Sequence, residues 1–229
     1  MAQAAQTAQP ARTAAGGRRT GIWAALAVLA LGVLLMIGAV AVVFDHYRVS
    51  RVVGTSMEPT LHKGDNLVLE VVDPGEVRRG DIVMLTAPDP IGPGMVVKRV
   101  VGVGGDELSS DAAGYLQLDG RTVPEPYVTA TDRGKPVAAT KVPEGRLFLL
   151  GDNRPDSLDS RYYDTGRLGT VAGTDVRQRL VWSSGGIGTL PAPFVVLVAG
   201  LLVGAAGAVG LAVAVGLASR RRRPGAAPA

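Results

Sequence analysis

The chain is expected to fold as a mainly β protein, an antiparallel β-rich domain held between two transmembrane helices. Three observations carry that expectation. Two long runs, Gly21–Phe44 and Phe194–Ala218, contain no charged residue. Between them lie short apolar or alternating stretches separated by Gly, Pro and Asp. One pair of these stretches is joined by Asp119-Gly120, a two-residue hairpin signal.

The elements follow in chain order. Residues 1–20, rich in Ala, Gln and Thr, are expected to be a disordered cytoplasmic tail. Residues 21–44, mostly Ala, Leu, Val and Ile, exceed at 1.5 Å per residue the ~30 Å hydrocarbon core of a bilayer and are expected to span it. A cleavable signal peptide is the rival, but its apolar core runs only to about 15 residues. Here the cleavage-like Ala39-Val40-Ala41 is followed by the still apolar Val42-Val43-Phe44, which favours a retained anchor. Residues 193–218 form the second expected span, richer in Gly and Ala. Gly200 and Gly204, and Gly204 with Ala208, have the small-xxx-small spacing of close helix packing, a spacing expected by chance in so small-residue-rich a segment. Residues 219–229 close the chain as a basic tail. Arg18 and Arg19 precede the first span and Arg220 to Arg223 follow the second, so the positive-inside rule puts both termini in the cytoplasm. Residues 45–190 are then an extracytoplasmic domain of a multi-pass cell-membrane protein. Trp23, Phe44, Tyr47, Trp182 and Phe194 are placed near the span ends, where amphipathic rings prefer the interface.

Charge supports the same layout. Seven of the 24 basic residues flank the apolar runs, while the other 17 share the middle of the chain with all 20 acidic residues, leaving it at −3. The net +4 therefore reports membrane topology, and no stretch interleaves aromatics with Lys and Arg as a nucleic-acid groove does. Nucleic acid is not an expected partner. Without cysteine, disulfides and thiolate metal sites are excluded. The two histidines, His46 and His62, and the lack of an HExxH motif speak against a metal centre, and no cofactor is expected.

Within the middle segment the expected strands are Asn66–Val72, Asp81–Leu85, Met95–Val103, Tyr115–Leu118 and Arg146–Leu150, with Arg121–Val123 returning after the hairpin. Three polar stretches interrupt this pattern. The first, G54-T-S-M-E-P-T-L61, offers Ser56; the second, V96-V-K-R-V-V-G102, sets Lys98 on an apolar strand. A serine hydroxyl needs a base, and lysine is a base only when burial pulls its pKa several units below about 10.4. Strand alternation puts Val96, Lys98 and Val100 on one face and Val97, Arg99 and Val101 on the other, the latter open to a charge partner. The alternative is a solvated Lys98 with Arg99 inward, and a Ser56 that belongs to an ordinary Gly/Pro turn. The third stretch, Gly151 to Arg161, packs charges and hydroxyls directly after an apolar strand; alone it reads as a loop held by local side-chain to backbone bonds.

Taken together, the three stretches resemble the sequence boxes of the bacterial type I signal peptidases. Ser56-Met-Glu-Pro-Thr-Leu61 resembles the nucleophile box, Lys98-Arg-Val-Val-Gly102 with Gly105-Asp106 the general-base box, and Gly151-Asp-Asn-Arg154 with Ser157, Asp159, Ser160 and Arg161 the supporting box. The composition and the second span resemble an actinobacterial member. The resemblance implies that Ser56 attacks the scissile carbonyl, that Lys98 takes its proton, that Ser157 holds the lysine amine by a hydrogen bond, and that Asp159 and Arg161 form a bracing ion pair. It implies an oxyanion hole built on the Ser56 backbone N–H. Some family members supply the second donor from a hydroxyl two positions before the nucleophile; Gly54 stands there, so that donor is open and a backbone N–H is the candidate. The implied partners are secretory preproteins, bound as an added strand and cut after Ala-x-Ala, and the lipid bilayer.

Three rivals differ in chemistry. A Ser-His-Asp triad would use His62, six residues from Ser56. A self-cleaving repressor-like protease would share the serine-lysine pair but not the two spans. A tethered peptide- or wall-binding β domain would have no use for Ser56, Lys98 and Ser157 together. The Pro88–Pro93 loop, carrying Ile91, is a candidate lipid contact.

Overall fold

The computed structural model describes residues 16–220 apart from Pro90, Gly92, Asp164, Thr165 and Arg167. Most of the two expected tails therefore lies outside the described residues, although helix α1 (Gly16–His46) begins inside the first of them. The chain divides into a helical unit, built on α1 and α2 (Ala192–Arg220), and a β unit, Val43–Pro191.

In the helical unit the two apolar helices touch through their smallest residues. A Cβ added at Gly32 would meet Gly204 N at 2.4 Å, one at Gly200 would meet Met36, and one at Gly207 would meet Leu29. The partners run in opposite order, so the helices are antiparallel. The spacing at Gly200 and Gly204, expected by chance from composition, is used for contact: without side chains there, two backbones approach closely. Both helices are long and apolar enough to cross a bilayer, over Thr20–His46 and Ala192–Leu217.

The β unit contains β1 (Tyr47–Arg51), β2 (Asn66–Val71), β3 (Ile82–Thr86), β4 (Met95–Val103), β5 (Glu107–Ser110), β6 (Leu116–Leu118), β7 (Arg121–Thr122), β8 (Thr140–Lys141), β9 (Arg146–Leu150), β10 (Val171–Ala172) and β11 (Val176–Ser183). They form a seven-stranded sheet in the order β1-β2-β11-β3-β4-β9-β10 and a four-stranded sheet in the order β7-β6-β5-β8. Every pairing is antiparallel. Asp119 and Gly120 make the β6–β7 turn with φ of 50° and 76°, the positive values that a two-residue hairpin favours.

The large sheet is covered on both faces, which explains why its strands read as apolar runs rather than as clean alternations. Val83 and Leu85 of β3, Val100 of β4 and Leu147 and Leu149 of β9 enter one core cluster. Their neighbours Ile82 and Met84 enter a second cluster with Met57, Leu61, Leu67 and Leu69. Val101, Phe148 and Leu150 enter a third with Leu108 and Leu116, which joins the large sheet to the small one. Ile91, considered above as a lipid contact, packs partly buried against the first cluster.

Two aromatics expected at span ends are strand residues. Tyr47 opens β1 and Trp182 lies in β11, an eight-residue strand between β2 and β3 that the sequence pattern does not announce. The reason is geometric. Register shifts between Val176 and Gln178 and between Leu180 and Trp182 break the period-two pattern that would have marked it.

Candidate active site

Ser56 sits in the segment that leaves β1, half-buried between the exposed Thr55 and the buried Met57. Lys98 lies in β4, opposite Val83 of β3, and is 3 % exposed. These two residues, 42 positions apart in sequence, meet: Lys98 Nζ is 2.7 Å from Ser56 Oγ. Among the described residues no carboxylate lies within ion-pair distance of Lys98. Burial lowers its pKa from 10.5 to about 8; more distant Asp159, Asp152 and Asp156 oppose this shift, and Arg161 adds to it.

Arg99 has a different environment. Its Nε and Nη2 donate to the two oxygens of Asp152 at 2.8 and 2.6 Å, Nη1 donates to Gly80 O, and the guanidinium lies 4.0 Å from the centre of the Tyr127 ring. Arg99 lies on the face expected to meet a charge partner and meets one in Asp152 of the third polar stretch, which leaves its side chain 12 % exposed.

That stretch brackets the serine. After β9 the chain passes Gly151, where a Cβ would stand 2.2 Å from Ser157 Oγ and 2.5 Å from Ser56 O; no larger residue fits. Asn153 N donates to Ser56 O at 3.1 Å, Asn153 Nδ2 to Thr55 O at 3.1 Å, and the Thr55 hydroxyl to Asp156. Asp159 accepts from Arg161 Nε and Nη2 at 2.8 Å each and from Gly151 N at 3.0 Å, while Arg161 also donates to Arg133 O and Lys135 O. Ser160 Oγ accepts from Leu149 N.

Ser157 departs from its expected contact. Its hydroxyl is buried against Gly151 but has no hydrogen-bond partner among the described residues, so the bond from Lys98 to Ser157 is not formed here. The Lys98 amine is directed at Ser56 instead. His62 is exposed, its backbone N–H donates to Asp65, and no hydrogen bond links it to Ser56 among the described residues. The arrangement is thus a two-residue one, without a histidine.

Some members of the surrounding network could not be read from the sequence. Glu125, between two prolines, is buried and takes both Arg154 and Arg133, with the Tyr127 hydroxyl at 3.4 Å. Nothing local distinguishes it from a loop acid. Asp106, which falls within the second box, caps Val103 N and pairs with Arg79.

A cleft of about 280 Å³ opens on the pair, lined by Val52, Val53, Met57, Met84, Met95 and Val97 besides Ser56 and Lys98. Along it the first residues of β4 have a strand on one side only. Met95–Lys98 pair with β3, but β9 joins only from Arg99 onward. Among the described residues no strand pairs along their other edge. The Ser56 N–H likewise donates to no protein acceptor among the described residues.

Residues 22–182 match the model of the family described as signal peptidase, peptidase S26. Signal peptidase I of Bacillus licheniformis is 35% identical over 152 residues, covering 61% of this chain and 76% of that protein. Signal peptidase I S of Bacillus subtilis is 36% identical over 158 residues, covering 61% and 77%. The crystal structure of a signal peptidase I from Enterococcus faecalis is 27% identical and covers 46% of this chain and 97% of that one, with a TM-score of 0.38.

Proposed function

The chain belongs to the signal peptidase family, peptidase S26, and from that premise we propose that it is a membrane-anchored serine endopeptidase that removes signal peptides from exported preproteins. Ser56 is the nucleophile and Lys98 the general base. The observation that carries this is the 2.7 Å approach of Lys98 Nζ to Ser56 Oγ in a setting where Lys98 is buried and, among the described residues, no carboxylate lies within ion-pair distance of it.

The steps balance with these two side chains alone. Neutral Lys98 takes the Ser56 proton as Oγ adds to the scissile carbonyl, and the ammonium then gives that proton to the leaving amine. Water, deprotonated by the same amine, adds to the acyl carbonyl, and the ammonium returns its proton to Ser56 Oγ as that oxygen leaves, which restores the hydroxyl and the neutral amine. The tetrahedral oxyanion forms next to the free Ser56 N–H. Ser157, with an unengaged buried hydroxyl, takes the amine when Ser56 turns to substrate. Asp159 and Arg161 brace the loop without touching the reacting atoms.

The substrate adds as a strand to the free edge of Met95–Lys98. Strand alternation directs the first and third residues before the cut into the cleft, whose valine and methionine walls leave room for alanine and exclude larger side chains. The helical unit anchors the enzyme in the bilayer with both termini cytoplasmic, which concentrates it where preproteins emerge. Incubating detergent-solubilised enzyme with a preprotein and sequencing the new N-terminus tests the activity and the Ala-x-Ala rule together. Reporter fusions near Thr131 and at each terminus test the topology.

A further inference from the structure

The peptide that precedes the nucleophile is tied down from one side. Thr55 O accepts from Asn153 Nδ2 at 3.1 Å and from Glu58 N at 3.0 Å, and the Thr55 hydroxyl donates to Asp156 Oδ2. The Thr55–Ser56 bond is trans, and in a trans peptide the C=O and the N–H point to opposite sides. Holding Thr55 O toward Asn153 and Glu58 therefore turns the Ser56 N–H the other way, where no acceptor among the described residues takes it. On the far side of the Ser56 Cα, Ser56 O accepts from Asn153 N, so both flanking peptide planes are tied to the same loop.

The tie has something to restrain. Gly54, one residue earlier, is exposed, and a Cβ there would meet nothing within 4 Å. Glycine without packing neighbours leaves the backbone free to turn. An N–H that drifts from the point where negative charge develops loses most of its value to the transition state, because its worth comes from being aimed beforehand.

We infer that Asn153 and Asp156 are positioning residues: by clamping Thr55 they aim the Ser56 N–H at the oxyanion. The inference rests on Ser56 being the nucleophile. Asp156 is the more informative of the two, since it acts through a side-chain bond that can be removed from either end.

The test uses full-length, detergent-solubilised enzyme and a preprotein substrate. Thr55→Val and Asp156→Ala should each lower kcat about tenfold with KM within about twofold, the signature of an interaction felt in the transition state. The double variant should fall no further than the single ones, and Thr55→Ser, which keeps the hydroxyl, should recover most of kcat. Asp156→Ala should also move the rising limb of the pH profile downward. Asp156, with Asp159 and Asp152, holds the Lys98 ammonium in place while Arg161 opposes it; Thr55→Val leaves all four charges intact and the limb where it was. Full kcat in Thr55→Val, an effect on KM alone, or losses that multiply in the double variant would each overturn the clamp. Both side chains are exposed, so neither change empties the core; were Thr55→Val to misfold, Asp156→Ala carries the same test. Ser56→Ala and Lys98→Ala separate the two levels. If they turn over substrate, the nucleophile assignment fails; if they are dead while Thr55→Val is fully active, only the clamp fails.

Discussion

Lys98 and Arg99 are neighbours on one strand, both cationic by sequence, the first buried and the second partly buried, yet they have opposite fates. Arg99 meets a carboxylate in two-point geometry, with Asp152 held in turn by Thr60 at 2.5 Å, and its pKa is raised. Lys98 meets a hydroxyl, and with no adjacent carboxylate to offset the loss of water its pKa falls to about 8. At pH 7 about one Lys98 amine in ten is then neutral, against about one in three thousand at the ordinary lysine value. The contrast teaches that burial alone does not create a base. Burial next to a carboxylate makes a structural cation, and burial next to a hydroxyl makes a proton acceptor.

The largest expected effect falls on the unpaired side of that contrast. Ser56→Ala and Lys98→Ala should each lower processing on the order of 10⁴-fold or more, because each removes half of the proposed proton-transfer unit. Lys98→Arg should not rescue, since guanidinium stays protonated at any working pH. Measurable turnover by purified Lys98→Arg in a preprotein assay would end the assignment of Lys98 as base.

On the paired side the expected effect is on stability. Arg99→Ala leaves Asp152 charged and buried without its partner and should cost about 3–5 kcal/mol in urea unfolding. A loss below about 1 kcal/mol would mean that the pair is dispensable and that the two sites differ less than their geometry suggests.

The third test is the pH profile. A lysine base works only when deprotonated, so if Lys98 is that base, with its pKa lowered to about 8, kcat should rise with pH through about 8 and level off above it. Val96→Asp, which puts a carboxylate on the face and in the cleft that Lys98 shares, should make Lys98 more like Arg99 and move the limb upward by about one unit. An unmoved limb in a folded variant would break the same-face argument. The smallest expected effect is at His62: His62→Ala should keep kcat within about twofold of wild type, and loss of turnover there would revive a histidine mechanism.

Much of this contrast was legible before any fold was known. Alternation put Lys98 with valines, and the hairpin at Asp119-Gly120 and the strands at Met95–Val103 and Arg146–Leu150 lie where the pattern placed them. The central strand β11 was not legible, because its two register shifts destroy the local period. Nor was the identity of the Arg99 charge partner, Asp152, which comes from the third polar stretch 53 positions away.

The division follows from the range of the forces involved. Apolar length, flanking arginines, turn chemistry and the choice of serine and lysine are written in neighbouring residues, so they could be read from the chain alone. Which groups Lys98 and Arg99 would meet depended on residues 42 and 53 positions away being brought to one place, and Ser157 stands beside Gly151 without a hydrogen-bond partner among the described residues. Desolvation and a 2.7 Å contact are properties of that enclosure, and no local pattern encodes them, because water leaves a side chain only when distant strands close over it.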